Sequence, residues 1–297
     1  MKRLFLALAV LAIGTLSAAA QNTLTKEYKF DDVTRIIAHS VYSIEVTQGK
    51  SNKVTIEYDE RYKDRLVVNY VKGRLELAVE SAKNKDFWIN KKGSGKIKVY
   101  MQMPSINEIE LSGAASLQAN GNFKTDELEI DLSGATSVSG LQISGDELSI
   151  ECSGASKLSM AGDWDTIDAD CSGASKVSIN ADAESFEGDF SGAVSADIYG
   201  EHKNTEIECS GAAKTMLEGN TKYLKATLSG ASSLKAEKFE TENGYAELTG
   251  ASNAKIRCTG ELKTMVSRAS SLTHYGNPTI VNMSKDNIKK RPGQKRF

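Results

Sequence analysis

The chain holds 297 residues, with 37 Lys and Arg against 39 Asp and Glu, a formal net charge of −2. That balance offers no basic face for nucleic acid, and an aromatic content of 7% argues against a large carbohydrate-stacking cleft. Twenty-four glycines beside only three prolines suit a turn-rich, strand-rich protein.

Residues 1–20 read as a secretory signal peptide: Lys2 and Arg3, an apolar run from Leu4 to Leu16, then Ala18-Ala19-Ala20 as a small-residue cleavage site. The run is too short to span a bilayer, which takes about 20 apolar residues. No cysteine stands at the cleavage site to take a lipid anchor, and no later stretch suits a membrane helix. The mature chain is therefore expected to leave the cytoplasm, for the periplasm, the outer membrane or the cell surface.

Residues 21–105 carry strand signals and are expected to cap or continue a stack of repeats that occupies 106–276. SIEVTQGKSNKVTIEY alternates polar and apolar residues about a Gln-Gly-Lys-Ser turn, which reads as a hairpin or as two successive solenoid strands. DRLVVNYVKGRLELAVE does the same about Lys72-Gly73. AKNKDFWINKKGSG reads as a surface loop, and KIKVYMQMP ends at Pro104.

From 106 to 276 one tripeptide governs the chain. Ser-Gly-Ala, with Thr once for Ser, recurs with its glycine at Gly113, Gly134, Gly154, Gly173, Gly192, Gly211, Gly230 and Gly250, and a ninth copy carries Arg268 instead. A period of about 19–20 residues is the mark of a stacked repeat. Counting from Gly154, apolar residues fall at −6 (Leu148), −4 (Ile150), −2 (Cys152), +4 (Leu158) and +6 (Met160), so two strands flank the turn, each with one buried face. The −2 column is apolar throughout: Leu111, Leu132, Cys152, Cys171, Phe190, Cys209, Leu228, Leu248 and Val266. Glycine permits the positive φ of a tight reversal, Ala at +1 lets coils approach, and the hydroxyl at −1 can bond a neighbouring coil or a turn amide. Arg268 marks a polar final coil; since that copy accepts a side chain, Arg268→Gly is expected to be neutral or mildly stabilising. A parallel coil and an antiparallel meander both fit this grammar. The like-on-like columns favour the coil.

The SGAS repeats, the IEVTQG strand and KIKVYMQMP leading into INEIELSGAASL resemble the putative autotransporter-adhesin head domain, or GIN domain, of Bacteroidetes envelope proteins, over about residues 28–277. The resemblance implies an all-β, single-stranded, right-handed parallel β-helix whose glycine turns join two sheets, related in shape to pectin lyases, and a role in cell adhesion. The chain departs from it at Ala38-His39-Ser40, where a Ser-Gly-Ala-like turn is expected, so the first coil should be shaped differently.

The outward −3 column is the candidate binding stripe: Glu110, Asp131, Glu151, Asp170, Asp189, Glu208, Thr227 and Glu247. Stacked carboxylates repel, so the stripe can take cations or a basic partner, or be a solvated face neutralised by Lys157, Lys176 and Lys214. The bland reading is preferred. A lyase or hydrolase would place a carboxylate pair there, but catalytic residues should interrupt a repeat, not recur in every coil. His39, His202 and His274 share no metal-ligand spacing. Cys152, Cys171, Cys209 and Cys258 read as buried free thiols. Trp88, Trp164, Tyr199, Tyr223 and Tyr245 lie near turns or loops, where a pair on one edge would stack a sugar but such residues more often cover coil edges, the reading preferred. Residues 277–297 end in SKDNIKKRPGQKRF, a basic tail.

The expectation is thus a non-enzymatic exported solenoid, an adhesin or envelope scaffold, with no catalytic residue, metal or cofactor. Its partner would be a host or cell-surface glycan or protein, with self-association left open. The alternatives are a polysaccharide lyase or hydrolase, and a periplasmic interaction module.

Overall fold

A computed structural model describes residues 23–80 and 97–283. The signal-peptide residues, the loop bearing Trp88 and the basic tail from Ser284 lie outside them. The fold is an all-β solenoid of about nine turns.

Two parallel sheets form its sides. The strands before each turn stack in one: Glu108–Gly113 pairs with Glu127–Leu132, which pairs with the end of Ser137–Cys152, and so on to Glu261–Val266 and Thr279–Asn282. The strands after each turn stack in the other, from Tyr42–Gln48 through Ser116–Asn120 and Lys157–Ala161 to Ser271–Tyr275. The register is like on like, with Cys152 opposite Cys171 and Leu158 opposite Val177. This is the coil, not the meander.

The repeat explains the packing. Every residue of the −2 column is buried, and one continuous apolar core runs from Val33 to Val266. Sizes are matched across columns. Phe190 is fully buried at −2, and Gly188 stands at −4 of the same coil, where a Cβ would come within 2.8 Å of the Phe190 ring.

The turns form a ladder of their own. The turn glycines have φ between 69° and 82°. Each Ala amide at +1 donates to the carbonyl of the preceding turn residue, as Ala174 does to Gly154 at 2.7 Å and Ala193 to Gly173 at 2.7 Å. A Cβ on Gly173 would lie 2.6 Å from that same Gly154 oxygen. Glycine is needed twice over, for its φ and for the closeness of the coil beneath.

The hydroxyls divide the work. Those at −1 reach the preceding coil at long range, Ser172 Oγ to the Cys152 carbonyl at 3.5 Å and Thr249 Oγ1 to the Leu228 carbonyl at 3.3 Å. The shorter bonds belong to a column that sequence reading overlooked, at +2. Ser156, Ser175 and Ser232 are buried there, and each donates to the −1 carbonyl of its own turn, at 2.7, 2.6 and 2.8 Å.

The opposite corner holds a second glycine column, eight residues after the turn. Gly121, Gly162, Gly200, Gly219 and Gly276 occupy it, with φ from 85° to 148°. The spacing is legible in the sequence once sought.

The first coil keeps the register despite its different turn. His39 pairs with Ser112 and Ser40 with Gly113. Ser40 takes the glycine's place with φ 121°, and its carbonyl accepts from Ala114 at 2.8 Å.

The segment from Tyr42 to Asp59 is not a hairpin. Ile97–Met103 lies between its two strands, parallel to Tyr42–Gln48 and antiparallel to Asn52–Asp59. Leu66–Val71 and Arg74–Val79 do form a hairpin, about Lys72 at φ 49° and Gly73 at φ 80°. Thr23–Phe30 closes this end antiparallel to Asn52–Asp59. Such strands stop parallel stacking at the N-terminal end. At the other end Ile280, Val281 and Met283 are exposed.

Candidate functional site

The period-two alternation that buries −2 and −4 turns −3 and −5 outward. The −3 residues run in register up the pre-turn sheet: Glu110, Asp131, Glu151, Asp170, Asp189, Glu208, Thr227, Glu247. Beside them, two residues earlier, stands a second acidic column absent from the sequence reading: Glu108, Glu129, Asp168, Glu187 and Glu206. Strand stacking brings like charges to about 4.8 Å spacing.

Arginine, lysine and hydrogen-bonding side chains sit at the two ends of this acidic field. Arg74 Nη2 lies 2.8 Å from Glu110 and 3.8 Å from Glu108, with His39 Nε2 3.8 Å from Glu110. Toward the C-terminus Lys225 pairs with Glu206, and the Tyr245 hydroxyl donates to Glu247 at 2.7 Å. The lysines expected to do this, Lys157, Lys176 and Lys214, belong to the post-turn sheet, and among the described residues none forms an ion pair with the stripe. The turn separates them from it. Asp189 is held above the ordinary carboxylate value, first by burial and then by the charge of Asp170. Among the described residues no three His, Cys, Asp or Glu side chains converge as metal ligands.

The histidines lie apart. His39 Nδ1 is hydrogen-bonded to Ser112 Oγ at 2.8 Å, and His274 is exposed. His202 is buried at the second corner, stacked on Phe186, with Nδ1 3.1 Å from Thr205 Oγ1 and Nε2 3.2 Å from the Ala181 carbonyl. Burial lowers its pKa. The unfolded chain, with an ordinary value of about 6.5, then binds a proton that the native state refuses. Stability from this group is present above pH 6.5 and is lost as pH falls below it. Between pH 6.5 and 5.5 the native chain is expected to lose stability, and His202→Gln is expected to flatten that slope. Urea titrations at both pH values check it. Asp189 acts with the opposite sign, its stabilisation growing as pH falls toward carboxylate values, and so in a separate, more acidic window.

All four cysteines are free and buried. Cys152 and Cys171 are register neighbours, and the Cys171 thiol is pushed far up by Cys152 beside it and by burial. Burial raises Cys209 to about 11 and Cys258 in the same direction. They act as apolar filling. Of the described aromatic candidates only Tyr223 and Tyr245 come together, on adjacent coils of one face. Trp164 is buried at a corner, Tyr223 and Tyr245 stand on the pre-turn face, and Tyr199 on the other.

That other face holds a concavity unforeseen from the sequence. A bulge between Val138 and Leu141, with Gly140 at φ 68°, removes side-chain bulk from one coil. Short residues follow on the next two coils, Ser159 and Ala161, then Ser178. The result is an open trough of about 490 Å³ with Gln142 and Asn180 on its sides and Tyr199 at one end.

A family model described as "Putative auto-transporter adhesin, head GIN domain" matches residues 32–199 and 177–278. Three solved structures share the fold. A putative adhesin from Parabacteroides merdae is 18% identical, with 88% of this chain and 96% of that one covered at a TM-score of 0.58. A putative adhesin from Parabacteroides distasonis is 16% identical, with coverage of 88% and 98% and a TM-score of 0.53. A putative lipid binding protein from the same species is 15% identical, with coverage of 88% and 97% and a TM-score of 0.51. No curated protein matches the chain.

Proposed function

Because the chain belongs to the family described as putative auto-transporter adhesin, head GIN domain, we propose that it is an exported, non-enzymatic adhesin that presents its two sheet faces to a glycan or protein of another surface. The observation that carries this is the repetition itself. Every coil offers outward side chains at the same positions on two extended faces, so recognition is spread along the axis, as solenoid binding surfaces are. Among the described residues no helix is long and apolar enough to cross a membrane.

Proteolysis of intact cells producing the full chain, paired with binding of the purified protein to immobilised mucin, matrix proteins and glycans, tests the proposal. Cleavage at the surface together with binding to one panel member is expected. Protection from protease together with no binding would overturn the adhesin and favour a periplasmic module.

One observation favours a second reading. Asp170 and Asp189 are neighbours, and Asp189 is raised, which is how an acid/base pair is poised. Against this, Glu151 and Glu208 continue the same column on either side. A hydrolase would release new reducing ends from polysaccharide and a lyase unsaturated products, either lost in Asp170→Asn or Asp189→Asn. No turnover is expected.

A further inference from the structure

The trough on the post-turn face has the chemistry of a saccharide subsite, and we propose that it binds a neutral oligosaccharide lying along the solenoid axis. The inference rests on the adhesin reading and names a ligand class and a place for it. Its six determining residues are Gln142, Ser159, Ala161, Ser178, Asn180 and Tyr199, all exposed or half-buried and drawn from adjacent coils.

Three observations support it. The first is shape. Three successive coils carry short side chains, so a groove runs across strands instead of ending within one coil. Its volume of about 490 Å³ falls in the range of ligand sites, about 300–1,000 Å³.

The second is unspent hydrogen bonding. Some outward amides elsewhere on this molecule serve the fold. Gln48 accepts from the Asn122 amide, Asn107 donates to Thr125 and Glu127, and Asn243 accepts from the Glu261 amide. Among the described residues, the side chains of Gln142, Asn180, Ser159, Ser178 and Tyr199 form no hydrogen bond to one another or to the rest of the chain. Two amides supply donors and acceptors together, and each hydroxyl supplies both, which is what an array of sugar hydroxyls requires.

The third is the ring. Tyr199 sits in register with Asn180 on the next coil, so an apolar ring face stands beside an amide. A pyranose has one apolar C–H face for such a ring and equatorial hydroxyls for the amide. No carboxylate or ammonium is among the lining residues, so the site selects a neutral sugar over a uronate or a sulfated one. The acidic columns lie on the opposite sheet.

Titration calorimetry of the full chain with soluble cellohexaose, laminarihexaose and chitohexaose tests the proposal. Binding of one of them is expected, reduced at least tenfold in Tyr199→Ala and in Asn180→Ala, with circular dichroism and unfolding midpoint unchanged. Lys235→Ala, on the same face but outside the trough, is expected to bind as the native chain does. Binding that survives both trough variants overturns the site. No binding of any of the three, while the protein still adheres to mucin or matrix, overturns the proposal and leaves the adhesin reading standing. Trough-dependent binding of a soluble oligosaccharide without adhesion supports the site and removes the adhesin reading.

Discussion

Gly173→Val is expected to cost about 2–4 kcal/mol and to loosen the middle coils first. The backbone at Gly173 has φ 73°, a region nearly closed to a β-branched residue, and holding valine there costs about 1–3 kcal/mol. The added Cβ would also lie 2.6 Å from the Gly154 carbonyl. That carbonyl accepts the Ala174 amide, so relief of the clash breaks a bond worth about 1 kcal/mol. Solenoid coupling is mainly between neighbours, so hydrogen exchange should accelerate between about residues 150 and 195 before the N-terminal strands respond. Unfolding in urea measures the total. Arg268→Gly is the counterpart, and here the structure reverses the expectation from sequence. Among the described non-glycine residues only Ser40 and Lys72 have positive φ, so Arg268 occupies an ordinary conformation and glycine there should cost about 0.5–1 kcal/mol in added chain freedom. A Gly173→Val protein as stable as the native chain would show that the turns are not held as described.

At the opposite corner a single methyl should do comparable harm. Gly200→Ala places a Cβ 1.9 Å from the Ala181 carbonyl oxygen and 2.6 Å from its carbon, both backbone atoms. No rotamer change relieves that. The φ of 148° adds strain, and the coils can part only by stretching the ladder on both sides of the corner. The expected cost is about 3–5 kcal/mol. Gly173→Ala should be milder, because its contact is 2.6 Å. Denaturant midpoints for the two alanine variants decide the order. A smaller loss at Gly200 than at Gly173 would mean that the corner relaxes where the turn does not.

The repeat made the solenoid legible because it has one cause: a glycine that must be glycine, and apolar columns that must face inward. The −2 column could be read residue by residue, since period-two alternation leaves little choice of face. Three features escaped. The +2 serines look like polar surface in a string of letters, and only the turn geometry shows Ser156 and Ser175 closing over their own −1 carbonyls. The corner glycines are present in only some copies, with Ala181 standing in one, so the column is visible only after the turn has fixed the count. The N-terminal strands follow no repeat. Nothing local in SIEVTQGKSNKVTIEY shows that Ile97–Met103 will come between its halves, because that pairing joins distant segments. For the candidate site, the acidic stripe was legible as a column. Its ends were not, since Arg74 and His39 reach Glu110 from other coils. The trough depends on a bulge and on which residues happen to be short, and neither has a signature in one sequence.

The glycine turns also make an electrical object. The Gly carbonyl and the Ala amide of each turn belong to one peptide group, which donates to the turn before it and accepts from the turn after it. From Ser40 to Gly250 these groups are therefore strung head to tail, all dipoles aligned along the solenoid axis. An α-helix builds its macrodipole in this way, whereas the sheets beside the turns, whose bonds alternate in direction, largely cancel. Each bond in such a string polarises the next, so the column should be stiffer in its middle than at its ends. Its negative pole falls on the Gly250 carbonyl, where Ser270 Oγ donates at 3.1 Å and Ser267 Oγ at 3.5 Å. The irregular last turn, by giving up its glycine, ends a line of dipoles with hydroxyls.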